Sequence, residues 1–176
     1  DGIKAGNVIV GFASSGQSIY EKTYNSGIGS NGLTSARHDV LEKMYAEKYP
    51  ETFENSLNNE VVYIGKNKLT DLVDVTTSKG QEKIMMGKLL LSPTRTYAPL
   101  MKLFLENHFD KIDGAIHCSG GGQTKCMKYL PGPMKIIKDH LFEPPEIFQI
   151  IQKNSGADNR EMMQVFNMGH RLEIFT

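Results

Sequence analysis

Twice in this chain a short, β-branched apolar run breaks directly into glycines and hydroxyl residues, and a helix-forming stretch follows. The first run, 7–13 (NVIVGFA), leads to Ser14-Ser15-Gly16 and, after a long loop, to Ser30-Asn31-Gly32 ahead of a helical pattern that starts at Leu33. The second, 112–118 (IDGAIHC), leads straight into Ser119-Gly120-Gly121-Gly122 and a short helix from Gln123. Strands that end this way belong to a sheet with helices packed on it. The same design suits an anion. Glycine lets backbone approach a ligand closely, and the unpaired N–H groups of a first helical turn point outward at the favourable end of the helix dipole. A glycine triplet taken alone reads equally as a tight turn; two such loops in one chain point to a phosphate or another anion.

Elsewhere strands and helices alternate, so the class is α/β or α+β built around one sheet. The run 7–13 fits a covered central strand. Leu33, Ala36, Val40, Leu41 and Met44 recur at helical spacing, which predicts one helix from a cap at Asn31 to a stop at Pro50. VVYIG (61–65) and LTDLVDV (69–75) predict a hairpin, with TTSKGQEK as loop after it, and IMMGKLLL (84–91) fits strand or helix. Pro99 suits the first turn of a helix whose Leu100, Leu103 and Phe104 share a face. MKIIKDHL (134–141) reads as a strand. Pro144-Pro145 opens a helix closed by Gly156, Asp158-x-x-Glu161 is a capping-box start, and HRLEIFT is the last strand.

Composition removes several function classes. Lys+Arg and Asp+Glu both number 20, for zero net charge, so the basic excess of a nucleic-acid binder is missing. The 176 residues make one ordinary domain, and 39% apolar with 23% charged residues is a globular composition. No apolar run approaches the roughly 20 residues that cross a bilayer, and no secretory signal opens the chain. Neither nucleic acid nor membrane is therefore an expected partner. Cys118 and Cys126 make no disulfide framework, and their default compartment is reducing and cytoplasmic. Both ends read as cut, as in a piece of a longer protein.

Familiar nucleotide and metal motifs are absent. Gly27-Ile28-Gly29-Ser30-Asn31-Gly32 has the glycine spacing of a dinucleotide fingerprint, but it does not follow its strand directly and no strand-end acid follows it. No phosphate loop of the G-x-x-x-x-G-K-[ST] type occurs. His117, Cys118 and Cys126 lack the spacing of a zinc site, so no metal is expected. His117, beside the triple glycine, is the histidine placed to meet a ligand and the candidate for catalysis.

A series of segments carries a more specific signal: G-F-A-S-S-G (11–16), S-N-G-L-T-S-A-R (30–37), L-L-x-P-T-R-T-Y (90–97), H-C-S-G-G-G (117–122), L-P (130–131), P-P-E-I-F (144–148) and F-N-M-G (166–169). In this order, over nearly the whole chain, they resemble the C-terminal domain of the aminoimidazole ribonucleotide synthetases (phosphoribosylformylglycinamidine cyclo-ligases). The resemblance implies helices packed on a mixed β-sheet, in a homodimeric, cytoplasmic, two-domain enzyme of purine biosynthesis. Such an enzyme uses ATP and Mg2+, bound mainly by an N-terminal domain, to phosphorylate the formyl amide oxygen of formylglycinamidine ribonucleotide. An amidine nitrogen then closes the imidazole ring, with release of ADP and phosphate. It further implies that this chain is the C-terminal domain alone, without the family's last helix and strand, and that by itself it is inactive. The substrate- and phosphate-binding candidates are Ser14, Ser15, Gly16, Ser30, Asn31, Gly32, Ser119, Gly120, Gly121 and Gly122. The resemblance also covers selenophosphate synthetase and thiamine-monophosphate kinase, and a non-catalytic phosphate- or nucleotide-sensing module remains a reading of the same fold.

Three departures from the family pattern stand out. Residues 17–27 are inserted, and Gly29 stands where the family has a histidine. Lys125 and Cys126 replace a Glu-Asn pair after the triple glycine. The 61–75 hairpin is an addition. The insertion, with Tyr20 and Tyr24, is expected to form a mobile lid over the anion site.

Overall fold

The computed structural model describes residues 2–30 and 32–176. Among these the element order is β1 (Ile9–Ala13), α1 (Leu33–Val40), α2 (Met44–Lys48), β2 (Leu72–Thr77), β3 (Gly80–Met85), α3 (Met86–Leu90), α4 (Ala98–His108), β4 (Gly114–His117), α5 (Glu146–Ser155), α6 (Asn159–Val165) and β5 (His170–Phe175). Short-pitch 3-10 turns lie at Pro50–Thr52, Phe109–Lys111 and Gly122–Tyr129. The α+β class holds. Both sheets are antiparallel throughout, where a mixed sheet was expected.

The main sheet has the order β1-β5-β4. Strand β1 is thus an edge and not the centre; the last run, β5, is central, and every one of its residues is buried. That centre carries two charges, and each has a local partner. Nη2 of Arg171 donates to the carbonyls of Gly27 (3.1 Å) and Ile28 (2.6 Å). Glu173 pairs with the Lys138 ammonium. A charge so buried is tolerated only with partners of this kind.

Two apolar clusters flank this scaffold. The larger gathers Ala36 and Val40 of α1, Leu89 and Leu90 of α3, Ile147, Phe148 and Ile151 of α5, and Met162 of α6. The smaller holds Ile3, Ile116, Cys118, Cys126 and Phe175. Helix α5 buries residues three and four apart, as its sequence indicated, and Gly156 ends it at φ 72°. Asp158 caps α6 by accepting from the Glu161 N–H at 2.8 Å.

Several expected elements are rearranged. The helix from Leu33 stops at Val40, and Leu41 turns extended. Residues 61–67 explain why: the N–H groups of Ile64, Gly65 and Asn67 donate to the carbonyls of His38, Leu41 and Val40. A chain that spends its donors on the end of α1 has none left for a ladder, so 61–65 is no strand. The hairpin is β2 with β3, turned at Gly80 with φ +105°, and it uses the stretch expected as loop. The run 84–91 is both: Ile84 and Met85 end β3, and Met86 begins α3. On α4, Phe104 meets Phe12 edge-on at 5.6 Å, whereas Leu103 is 58% exposed. Residues 134–141 form no strand; Met134, Ile136 and Lys138 are half-buried in alternation, an extended segment laid over the sheet without a hydrogen-bonded partner strand among the described residues. The Asn31 cap lies outside the described residues, and Gly32 at φ 72° precedes α1.

His170 makes this core sensitive to acid. It is 4% exposed, its ring stacks on Phe142 at 4.1 Å, and Nε2 accepts from the Phe142 N–H at 3.2 Å. Burial, aided by the Lys138 charge, pushes its pKa from 6.5 down to about 4. The folded state therefore holds fewer protons than the unfolded one between those values, and stability must fall as pH drops through that window, by roughly 3 kcal/mol at its lower end. Urea midpoints measured from about pH 7 to about pH 4 should decline, and His170→Leu should flatten the decline. An unchanged slope in the variant would assign the acid loss to other groups.

Candidate functional site

The separate motif loops meet at one buried residue, Asn167. Its side chain accepts from the Ser14 hydroxyl (2.7 Å) and the Gly169 N–H (3.0 Å), and donates to the Gly27 carbonyl (2.9 Å). Its own carbonyl accepts from Nε2 of Gln123, in the helical turn after the triple glycine. The F-N-M-G segment therefore ties the Ser14 loop, the inserted loop and the glycine triplet into one body. Sequence reading singled out the segment but not this role, because one amide linking three loops leaves no spacing signal.

The triple-glycine loop holds two free donors. The Ser119, Gly122 and Thr124 N–H groups are spent on the His117, Ser119 and Gly121 carbonyls. Those of Gly120 and Gly121 have no acceptor among the described residues, and Gly120 is exposed. Gly121 sits at φ +94° and Gly122 at φ +50°, the conformations that favour glycine. Lys125 reaches back, donating from Nζ to the Ser119 hydroxyl at 2.7 Å. His117 is half-buried, edge-on to Tyr97 at 6.2 Å. Burial, then the charges of Arg171 and Lys125, hold its imidazole below the ordinary value, so it is neutral near neutral pH. The ensemble is two free amides, a cation and a neutral imidazole. That set suits an anion whose neighbouring group exchanges a proton.

The first loop divides differently. The Ser14 hydroxyl is buried and committed to Asn167, so it holds the loop in place. Gly16 exchanges two hydrogen bonds with Asn25 at 2.9 and 2.8 Å. Ser15 is half-buried and Ser30 exposed, the latter's N–H reaching the Thr94 hydroxyl at 3.3 Å. A Cβ on Gly32 would run into the Phe166 ring. At Gly29 a side chain has no room: a Cβ there would lie 2.7 Å from Cζ of Arg171. A guanidinium 1% exposed thus fills the space beside Gly29.

The insertion is fastened. Arg95 grips the Glu21 carboxylate through Nε (2.9 Å) and Nη2 (2.6 Å), and its Nη1 donates to the carbonyls of Ala13 (3.0 Å) and Ser15 (2.9 Å). Burial pushes Glu21 up, but hydrogen bonds from Arg95 and the Ser18 N–H bring it below the ordinary carboxylate range. Tyr20 donates to the Thr96 carbonyl at 2.8 Å. A two-point guanidinium clamp on a mostly buried carboxylate holds residues 17–27 against the 93–97 segment, which is the arrangement of an anchored insert and not of a free lid.

Comparison with known proteins places these motifs. No family model matches the chain. A phosphoribosylformylglycinamidine cyclo-ligase of Pseudothermotoga lettingae is 30% identical over 169 residues, 95% of this chain and 37% of that protein. One from Carboxydothermus hydrogenoformans is 31% identical over 171 residues, again 95% of this chain and 37% of the relative. One from Methanothermobacter thermautotrophicus is 34% identical over 146 residues, or 82% and 34%. This chain is a homologue of the phosphoribosylformylglycinamidine cyclo-ligases. It spans a little over a third of the length of these curated relatives. Of the seven segments that carry the cyclo-ligase resemblance, three, 11–16, 117–122 and 166–169, are held together through Asn167 and Gln123.

The remaining candidates for chemistry are quiet. Cys118 and Cys126 are free and buried, and burial pushes the Cys118 thiol up to about 12. Among the described residues no group of three His, Cys, Asp or Glu side chains could hold a metal ion, and no helix is long and apolar enough to cross a membrane.

Proposed function

We propose that this chain is the ribonucleotide-binding C-terminal domain of an ATP-dependent cyclo-ligase. The whole enzyme would convert formylglycinamidine ribonucleotide to aminoimidazole ribonucleotide, with release of ADP and phosphate, in purine biosynthesis. It would work in the cytoplasm as a homodimer whose N-terminal domain binds ATP and Mg2+. In that reading the chain alone would be without turnover, because ATP and Mg2+ would be bound by the other domain. One observation carries the reading: two unspent amides, at Gly120 and Gly121, stand in a loop beside Lys125 and His117, locked to the other motif segments through Asn167. The cyclo-ligase name of the relatives supports it.

In this reading the Gly120 and Gly121 amides and the Ser119 hydroxyl hold the ribose phosphate, and Ser15, Ser30 and Gly32 are further candidates for contact with the ribonucleotide. Lys125 offsets the phosphate charge. His117, kept neutral, is the group able to take a proton as the ring closes. Holding the ribonucleotide by its unreactive end is what positions the reacting nitrogen and carbon, and such positioning supplies much of a ring closure. A phosphate-sensing module without turnover is the second reading, favoured by the guanidinium that occupies the space beside Gly29.

Gly121→Ala tests the loop. The added Cβ meets only Lys125, at ordinary contact distances of 3.5 Å (Cβ), 3.6 Å (Cα) and 3.8 Å (N), so the loss of stability is confined to the positive φ, about 1 kcal/mol. Disturbing the donors should weaken binding of the ribonucleotide by ~1–3 kcal/mol, the worth of a hydrogen bond to a charged group. Calorimetric titration and thermal unfolding of the same variant separate the two effects. A destabilised variant with intact affinity would remove the loop from the site. Binding with no ring closure by the full-length protein would favour the sensing module.

A further inference from the structure

Strands β1 and β4 both run antiparallel to β5, so they run parallel to each other at the two edges of the main sheet. Their C-terminal ends, Ala13 and His117, therefore lie on the same side of the sheet, with β5 between them and a gap of roughly 10 Å across it. Each end feeds one glycine loop. Strands so far apart cannot hydrogen-bond each other, and Tyr97 spans the gap instead. Its hydroxyl donates to the Ala13 carbonyl at 2.9 Å. Its ring meets the His117 imidazole edge-on, with centroids 6.2 Å apart and planes at 69°. Tyr97 is 8% exposed, and burial, ahead of the charges around it, pushes its phenol up to about 12. The hydroxyl thus stays a donor at any ordinary pH. The segment that carries it is itself held, because Arg95 donates to the Ala13 and Ser15 carbonyls and Thr96 accepts from the Tyr20 hydroxyl.

The bonds of Tyr97 limit what it does. With its hydroxyl spent on Ala13 it has no proton to give a substrate, so it is not an acid of the reaction. His117 is the titratable group its ring touches, and aromatic pairs of this kind have a preferred geometry. The other charged groups that face His117 are Arg171 of β5 and Lys125 of the turn after the triple glycine. Those cations bear on whether the imidazole is protonated, whereas a ring packed against it bears on where it points. We propose that Tyr97 is a positioning residue: its ring orients the His117 imidazole beside the Gly120 and Gly121 amides, and its hydroxyl ties that orientation to the Ser14-Ser15 loop. This role rests on the ribonucleotide reading, in which His117 takes a proton. Orientation counts there because a proton acceptor works only within hydrogen-bond reach of its donor, and small misplacements are costly.

Two measurements separate this role from the reading beneath it. In the first, the isotopically labelled protein is titrated with inorganic phosphate and, separately, with acid, while NMR follows the backbone amides and the His117 ring. Phosphate should shift the Gly120 and Gly121 amides and the His117 ring together. Tyr97→Leu should keep the amide shifts, but its His117, opened to water, should titrate higher, toward the ordinary 6.5. In the second, ring closure by the full-length protein is measured per folded molecule. Tyr97→Phe, which keeps the ring but frees it from Ala13, should lower kcat about three- to tenfold and change KM for the ribonucleotide less than about twofold. Tyr97→Leu should lower kcat further and carry the acid limb of the pH profile upward with His117. A merely structural tyrosine would lower the melting temperature and leave the His117 titration where it was. That result, with phosphate still shifting the amides, overturns the role and leaves the ribonucleotide reading standing. No amide shift in the unaltered protein overturns both. Should Tyr97→Leu fail to fold, Tyr97→Phe decides, and an unchanged kcat there overturns the role.

Discussion

Asn167→Ala is expected to lower stability by about 3–5 kcal/mol, far above the usual cost of a single loop residue. Asn167 is 1% exposed, and its side chain makes three hydrogen bonds to groups that are themselves buried. Truncation leaves the Ser14 hydroxyl, the Gly169 N–H and the Gly27 carbonyl to find other partners away from water. Each stranded group costs about 1–3 kcal/mol, and Arg171, which also donates to Gly27, recovers only part of the last. Ser14→Ala should cost about 1 kcal/mol alone and almost nothing when added to Asn167→Ala, because the two share one bond. Urea unfolding of the two single variants and the double variant reads both quantities. A loss near 1 kcal/mol for Asn167→Ala, additive with Ser14→Ala, would mean that the loops are held together elsewhere.

The same junction shows where sequence reading succeeds and where it stops. Local signals carried through: Pro144-Pro145 and Gly156 bracket α5, Asp158 caps α6, and Pro99 opens α4. Each is a matter of neighbours in the chain. What escaped depends on partners far away. The apolar run 7–13 reads as the central strand, yet β5 takes that place, because the Gly27 and Ile28 carbonyls accept from Arg171 and Lys138 pairs with Glu173 inside the protein. The apolar stretch 61–65 reads as a strand until the end of α1 takes its donors. The insertion reads as a lid because glycines and tyrosines carry no sign of the Arg95 clamp, whose partner Glu21 lies far from it in sequence. In the candidate site the glycine triplet was visible as a pattern. Which of its amides are spent, and that Lys125 and Asn167 complete it, are facts of three dimensions.

Gly122→Ala is expected to cost about 3 kcal/mol or more, in sharp contrast to Gly121→Ala one residue earlier. Both glycines lie at positive φ, so conformational strain alone predicts similar losses of about 1 kcal/mol each. Packing separates them. A Cβ on Gly122 would collide with the carbonyl oxygens of Met163 and Phe166, and it would also lie 3.1 Å from the Phe166 carbonyl carbon. These are backbone atoms at the end of α6, whose shift would drag along Asn167 and its bonds to Ser14 and Gly27. No rotamer change relieves such a contact, whereas a Cβ on Gly121 would meet only Lys125, at ordinary contact distances of 3.5 Å and more. Gly122 thus serves the close crossing of the loop over α6, while Gly121 keeps its N–H free for the proposed ribonucleotide. Thermal unfolding should rank the variants as Gly122→Ala far below Gly121→Ala and the unaltered protein, while ribonucleotide affinity of the folded fraction should suffer chiefly in Gly121→Ala. Equal melting temperatures for the two variants would show that the loop stands off α6, and the division of labour between the two glycines would then be wrong.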